Sequence, residues 1–119
     1  MAGIYDMAKE LGNALARTDE YQALKRAMDA AADDRDLVEI RNRIEKLEVG
    51  VEADLRAGRE PSDEVKQQYG DATEELQRLA VYQRLVAAQS NFEKVMYKVN
   101  QTVGQGIEEG AQSRIIISS

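Results

Sequence analysis

The sequence predicts an all-α fold of about five helices, in which a long antiparallel α-hairpin of helices 3 and 4 packs on a two-sided C-terminal helix. Three observations lead there. Apolar residues recur at intervals of three and four along most of the chain, the spacing that stacks side chains on one face of an α-helix. Aromatic residues are only 5% of the composition and Pro61 is the single proline, a profile that favours helices. Residues suited to helix capping, Thr18, Asp33 and Ser62, stand where one apolar stripe ends and the next begins.

In the first helix, from about Ile4 to Arg17, the stripe is Ile4, Met7, Ala8, Leu11, Ala14 and Leu15. Thr18 then caps a second helix whose first turn holds Asp19 and Glu20, where the helix dipole favours negative charge. Its apolar stripe is Tyr21, Leu24, Ala27, Met28 and Ala31. Asp33 is expected to cap the third helix, with Asp34 and Asp36 at its positive end. In that helix Leu37, Ile40, Ile44, Leu47, Val51 and Leu55 form a near-heptad seam. Gly58 suits a left-handed cap, Pro61 stops the helix, and Ser62 followed by Asp63 and Glu64 restarts one. The fourth helix answers with Val65, Tyr69, Ala72, Leu76 and Leu79, so the two seams are expected to zip into a hairpin roughly 30 Å long at 1.5 Å rise per residue.

A fifth helix, from about Val81 to Val103, carries two stripes. One is Val81, Leu85, Ala88, Phe92, Val95 and Val99; beside it run Tyr82, Val86, Met96 and Val103. A helix apolar over so much of its circumference is expected to be covered on two sides, by the hairpin and by either the first two helices or a second subunit. The chain after Val103 is glycine-rich at Gly104, Gly106 and Gly110 and is expected to fray. Residues 1–110 therefore form a single helical domain and 111–119 a flexible tail, whose Ile115, Ile116 and Ile117 are either a sticky strand-like segment or an artificial extension.

Composition restricts the chemistry. With no cysteine and no histidine the chain has no thiol nucleophile, no thiolate metal site, and neither the commonest general base nor the commonest metal ligand. The run Asp33, Asp34, Arg35, Asp36 lacks the glycine and later glutamate of a calcium loop, and Ser62, Ser90 and Ser113 read as cap, surface and tail. Glu39, Glu45, Glu48 and Glu52 alternate with Arg41, Arg43 and Lys46 off the apolar seam, the pattern of a solvated face. No catalytic residue, cofactor or metal site is assigned, and the chain is expected not to be an enzyme. Its net charge of −6 argues against direct nucleic-acid binding, which needs a basic face. The N-terminal segment carries Asp6 and Glu10, so it lacks the uninterrupted apolar run of a signal peptide or membrane span, and a cytoplasmic location is expected.

What remains is binding to proteins. Gly50 and Gly70 lie at matching levels of the hairpin, beside Val51 and Tyr69, and either form a notch crossed by another helix or are two tolerated exposed glycines. With Tyr69 and with Tyr82, Val86, Phe92 and Met96 of the fifth helix, they are the candidate residues for a homodimer or partner interface.

Several segments together carry a resemblance: Ile4-Tyr5-Asp6-Met7-Ala8-Lys9-Glu10-Leu11, Glu20-Tyr21-Gln22-Ala23-Leu24-Lys25, Gly58-Arg59-Glu60-Pro61-Ser62, and Asn100 late in the last helix. On these the chain resembles the YlbF/YmcA family of small helical bacterial proteins over about residues 4 to 103. The resemblance implies an all-α fold with a projecting hairpin, frequent dimerisation, and a non-enzymatic regulatory role in a complex that steers an endoribonuclease and affects competence, sporulation and biofilm formation. Some members hold an iron–sulfur cluster through cysteines near the C-terminus; this chain has no thiolate to offer one. The Asn-Pro break usual before the last helix is replaced by Leu79-Ala80-Val81, which suggests a smoother bend there. The alternative reading is a self-associating structural or housekeeping module with no link to RNA metabolism.

Overall fold

The structure is a computed structural model that describes residues 3–118, and side chains for residues 3–112. Five helices follow one another: α1 (Ile4–Ala16), α2 (Asp19–Asp33), α3 (Arg35–Arg56), α4 (Asp63–Arg78) and α5 (Ala80–Ser118). The fold is all-α, as the periodicity predicts.

Short joints set the topology. Between α1 and α2 the Thr18 hydroxyl accepts a 3.1 Å bond from the Tyr21 N–H, and the Gln22 side-chain amide donates to the last carbonyl of α1, Ala16, at 2.8 Å. Between α2 and α3 a single extended residue suffices, and it is Asp34, not Asp33, whose carboxylate caps α3 by accepting from the Leu37 N–H at 2.9 Å. Asp33 is the last residue of α2. The sequence places the cap one residue early because either aspartate suits the role; the choice falls to the one whose backbone can leave the helix while Leu37 turns into the core.

The α3–α4 turn forms as expected. Gly58 takes φ +74°, its N–H bonds the Leu55 carbonyl at 3.1 Å, and the Arg59 N–H reaches Asp54 at 2.8 Å. This pair of bonds is a Schellman cap, which needs a residue at ease in the left-handed region. Ser62 then caps α4 through the Val65 N–H at 3.2 Å. Between α4 and α5 there is a sharp break in place of a smooth bend: Leu79 is extended, at ψ 126°, and the Gln83 side chain caps the Gln77 carbonyl at 2.9 Å. Leu79 leaves the helix to pack on the core, so the break needs no proline.

The core sits at the base of the hairpin. Ala31, Leu37 and Leu85 are its buried centre, with Leu24, Ala27, Leu76, Leu79, Val81 and Tyr82 packed around them. The most extensive helix contact is between α2 and α5. They run antiparallel, since Tyr21 meets Phe92 edge-to-face at 5.3 Å at one end and Ala31 meets Leu85 at the other. Alanines at 27, 31 and 88 let these backbones approach closely. The first stripe of α5 faces α2; of the second, Tyr82 reaches the core while Val86 stays 44% exposed.

Two features depart from a compact shape. α5 does not end at Val103 but continues helical through Gly104, Gly106 and Gly110 to Ser118, about 58 Å in all at 1.5 Å per residue. Ile115 to Ile117 lie outside the residues whose side chains are described. The radius of gyration is 22.0 Å where about 13.5 Å is usual for this length. The accessible surface is 9597 Å², against roughly 6,500 Å² for a compact monomer of this mass.

Candidate protein-interaction surfaces

Two regions present apolar side chains that no other described residues cover. The first is built by α1 and the distal half of α5. The apolar stripe of α1 is solvated: Ile4 is 71% exposed and Met7 54%, and only Leu15 among the described α1 side chains is even half-buried. α1 splays from α5 instead of closing on it, leaving an apolar cleft of about 400 Å³ between Leu11 and Val95, Val99 and Val103. Beyond it Ile107 is 67% exposed, and every described side chain of α5 after Val99 is exposed.

The second region is the outer half of the hairpin. Its base is closed by Leu37, Ile40 and Ala72, all buried. Polar clasps hold the flanks: Arg43 bonds Glu75 of α4 at 3.0 Å and Glu39 of its own helix at 3.5 Å, and the Tyr69 hydroxyl donates to Glu48 at 3.2 Å. That bond is the chief reason the Tyr69 phenol is raised above its ordinary value, with the negative charge of Glu48 next. Further out, two helices alone cannot cover each other's seams, and Leu55 is 61% exposed. The result is an open groove of about 580 Å³ floored by Val51, Leu55, Pro61 and Val65 and edged by Glu48, Glu52, Lys66 and Tyr69. The glutamates of α3 lie on its solvated face, where Glu52 pairs with Arg56.

Of the candidate interface residues, Tyr69 alone lines either of these surfaces. Tyr69 edges the hairpin groove. Gly50 and Gly70 are exposed, and a Cβ built on either meets nothing within 4 Å. Phe92 is half-buried against Tyr21 within the same chain, Tyr82 packs on the core, Met96 is half-buried and Val86 exposed. Ile4, Met7, Leu11 and Ile107 were absent from that set. Ile107 continues the step of four from Val99 and Val103, a signal obscured by the glycines around it.

Among the described residues, no three metal-ligand side chains converge and no helix is long and apolar enough to cross a membrane. The sequence is similar to several UPF0342 proteins. That of Lactobacillus delbrueckii subsp. bulgaricus is 25% identical over 109 residues, covering 92% of this chain and 93% of its own. Those of Limosilactobacillus reuteri and Staphylococcus saprophyticus are 24% and 23% identical, covering 92% and 89% of this chain and 89% and 93% of their own. A family profile described as control of competence regulator ComK, YlbF/YmcA, matches residues 4–108, a description that denotes a regulatory role. Five helices with a projecting α3–α4 hairpin and a match across nearly the whole chain place it plainly: this protein belongs to the YlbF/YmcA family.

Proposed function

We propose that this chain is a cytoplasmic, non-enzymatic regulatory or adaptor subunit that acts as a homodimer by binding other proteins. Its role is similar to that of family members which modulate an endoribonuclease complex and, through it, competence, sporulation and biofilm formation. The observation that carries the reading is the uncovered apolar surface. The excess of roughly 3,000 Å² per chain over a compact monomer is ample for a permanent interface, which buries about 2,000–5,000 Å² in total. Among the described residues six apolar side chains are buried, three of them alanines, a small core.

The surface best suited to self-association is the α1–α5 cleft with the α5 extension. Lys94 and Lys98 precede Val103, and Glu108 and Glu109 follow it. Two α5 helices laid antiparallel about Val103 bring Val99 against Ile107 and Lys98 against Glu108, so one face satisfies its own copy, as a two-fold interface requires.

Light scattering on the full chain tests the dimer. The wild type is expected at twice 13.3 kDa, and a Val103→Glu, Ile107→Glu variant at 13.3 kDa with its hairpin still helical. A monomeric wild type, or a variant that stays dimeric, overturns this arrangement. Pull-down from a native lysate tests the adaptor role: recovery of an endoribonuclease or its partners supports it, while recovery of the chain alone favours the self-associating module.

A further inference from the structure

The negative charge is concentrated on the outer part of the hairpin, since Arg35 to Arg78 as a whole, with twelve acidic and eight basic residues, nets −4. Between Glu45 and Glu75 there are ten acidic and four basic side chains, against twelve of each in the rest of the chain, so this segment carries the whole net charge of −6. Within it the outer groove has an apolar floor at Val51, Leu55 and Val65, and carboxylates at Glu48 and Glu52 along its α3 edge. Lys66 is the one cation lining it. Glu60, Asp63 and Glu64 cluster at the turn beside it. An apolar floor under a rim that is acidic along α3, although Glu52 also pairs with Arg56 and Lys66 stands opposite, selects its occupant by charge and shape together.

We propose that the outer α3–α4 groove is the docking site for a basic amphipathic helix of a partner protein. The ligand lays apolar residues at three- and four-residue spacing on Val51, Leu55 and Val65, and its Lys or Arg side chains meet Glu48 and Glu52. A second copy of this chain is a poor occupant, because apposing two hairpins brings two −6 segments together. The groove is separate from the α1–α5 cleft, so a dimer built there leaves both hairpins free to bind. This inference rests on the adaptor reading and supplies the chemistry of the partner.

The test uses the full chain and a synthetic eighteen-residue helix of leucine and lysine at helical spacing, with a scrambled peptide and a glutamate-for-lysine peptide as controls. Amide chemical shifts are expected to move at residues 48–69, and binding to weaken as salt rises. Leu55→Ser removes apolar floor at an exposed position, and Glu48→Lys with Glu52→Lys reverses the rim; each is expected to weaken binding at least about tenfold without altering the mass by light scattering. Shifts centred on Leu11, Val99 and Val103, equal binding by either control peptide, or unchanged affinity in both variants would overturn the proposal. So would a change in oligomeric state on Leu55→Ser alone, which would assign the groove to a second copy. Loss of binding with an intact dimer leaves the dimer arrangement standing, so the two can fail separately.

Discussion

The hydroxyl of Tyr69 donates a 3.2 Å hydrogen bond to the carboxylate of Glu48, joining α4 to α3 where the hairpin begins to open. Because the bond requires the protonated phenol beside a negative charge, it holds the Tyr69 proton past the ordinary pKa of 10.0. A raised folded-state value means that the contribution to stability is fully present below 10.0 and is lost as pH rises through the folded pKa. Near-ultraviolet titration of the wild type against a Tyr69→Phe control should isolate the Tyr69 transition above 10.0, and Glu48→Gln should bring it back towards 10.0. An unchanged Tyr69 titration in Glu48→Gln contradicts the assignment.

The glycines of the hairpin should respond with opposite signs. Gly58 sits at φ +74°, where a Cβ is strained, so Gly58→Ala should cost about 1 kcal/mol. Gly50 and Gly70 stand exposed inside helices with open space around them, so alanine at each should add about 0.5–1 kcal/mol. Urea unfolding at fixed protein concentration measures all three. If the Gly50→Ala, Gly70→Ala double variant dissociates the dimer, the pair is a notch crossed by another helix.

Core substitutions should follow burial more than side-chain size. Leu37 is 0% exposed at the meeting point of α2, α3 and α5, and Leu37→Ala should cost about 3 kcal/mol. Phe92 is larger but half-buried, in edge-to-face contact with Tyr21, and Phe92→Ala should cost about 2 kcal/mol. Denaturant midpoints for the two variants test the ranking, and a Phe92→Ala loss exceeding that of Leu37→Ala would reverse it.

The α5 extension should be helical only while it is covered. Gly104, Gly106 and Gly110 each cost ~1 kcal/mol relative to alanine, and its described side chains are exposed. Circular dichroism should therefore lose helix on dilution through the dimer dissociation range, and Val103→Glu with Ile107→Glu should show the lower value at every concentration. A helical signal independent of concentration in a chain that does dissociate would show the extension to be stable alone.

The helices, turns and caps were legible because they depend on neighbours in sequence. Thr18, Ser62 and Gly58 act within three or four residues of themselves, so their chemistry is visible in the chain. The joint at Asp34 and the break at Leu79 were less so, since which residue leaves a helix depends on what Leu37 and Leu79 pack against. The candidate surface was legible only in part. Tyr69 stands at the hairpin groove, but Phe92 carries the same apolar signal and spends it on Tyr21 within the chain.

By itself the sequence determined an all-α chain, the registers of its apolar stripes, the short reversal at Gly58 to Ser62, and the lack of any imidazole or thiol. The tertiary structure alone decided which stripes are covered. Periodicity states that a face is apolar but not what lies over it, and the same spacing buries Leu37 on α3 while leaving Ile4, Met7 and Ile107 in solvent. With α2 packed on α5 and, among the described residues, no third helix over the outer hairpin, two apolar surfaces remain open.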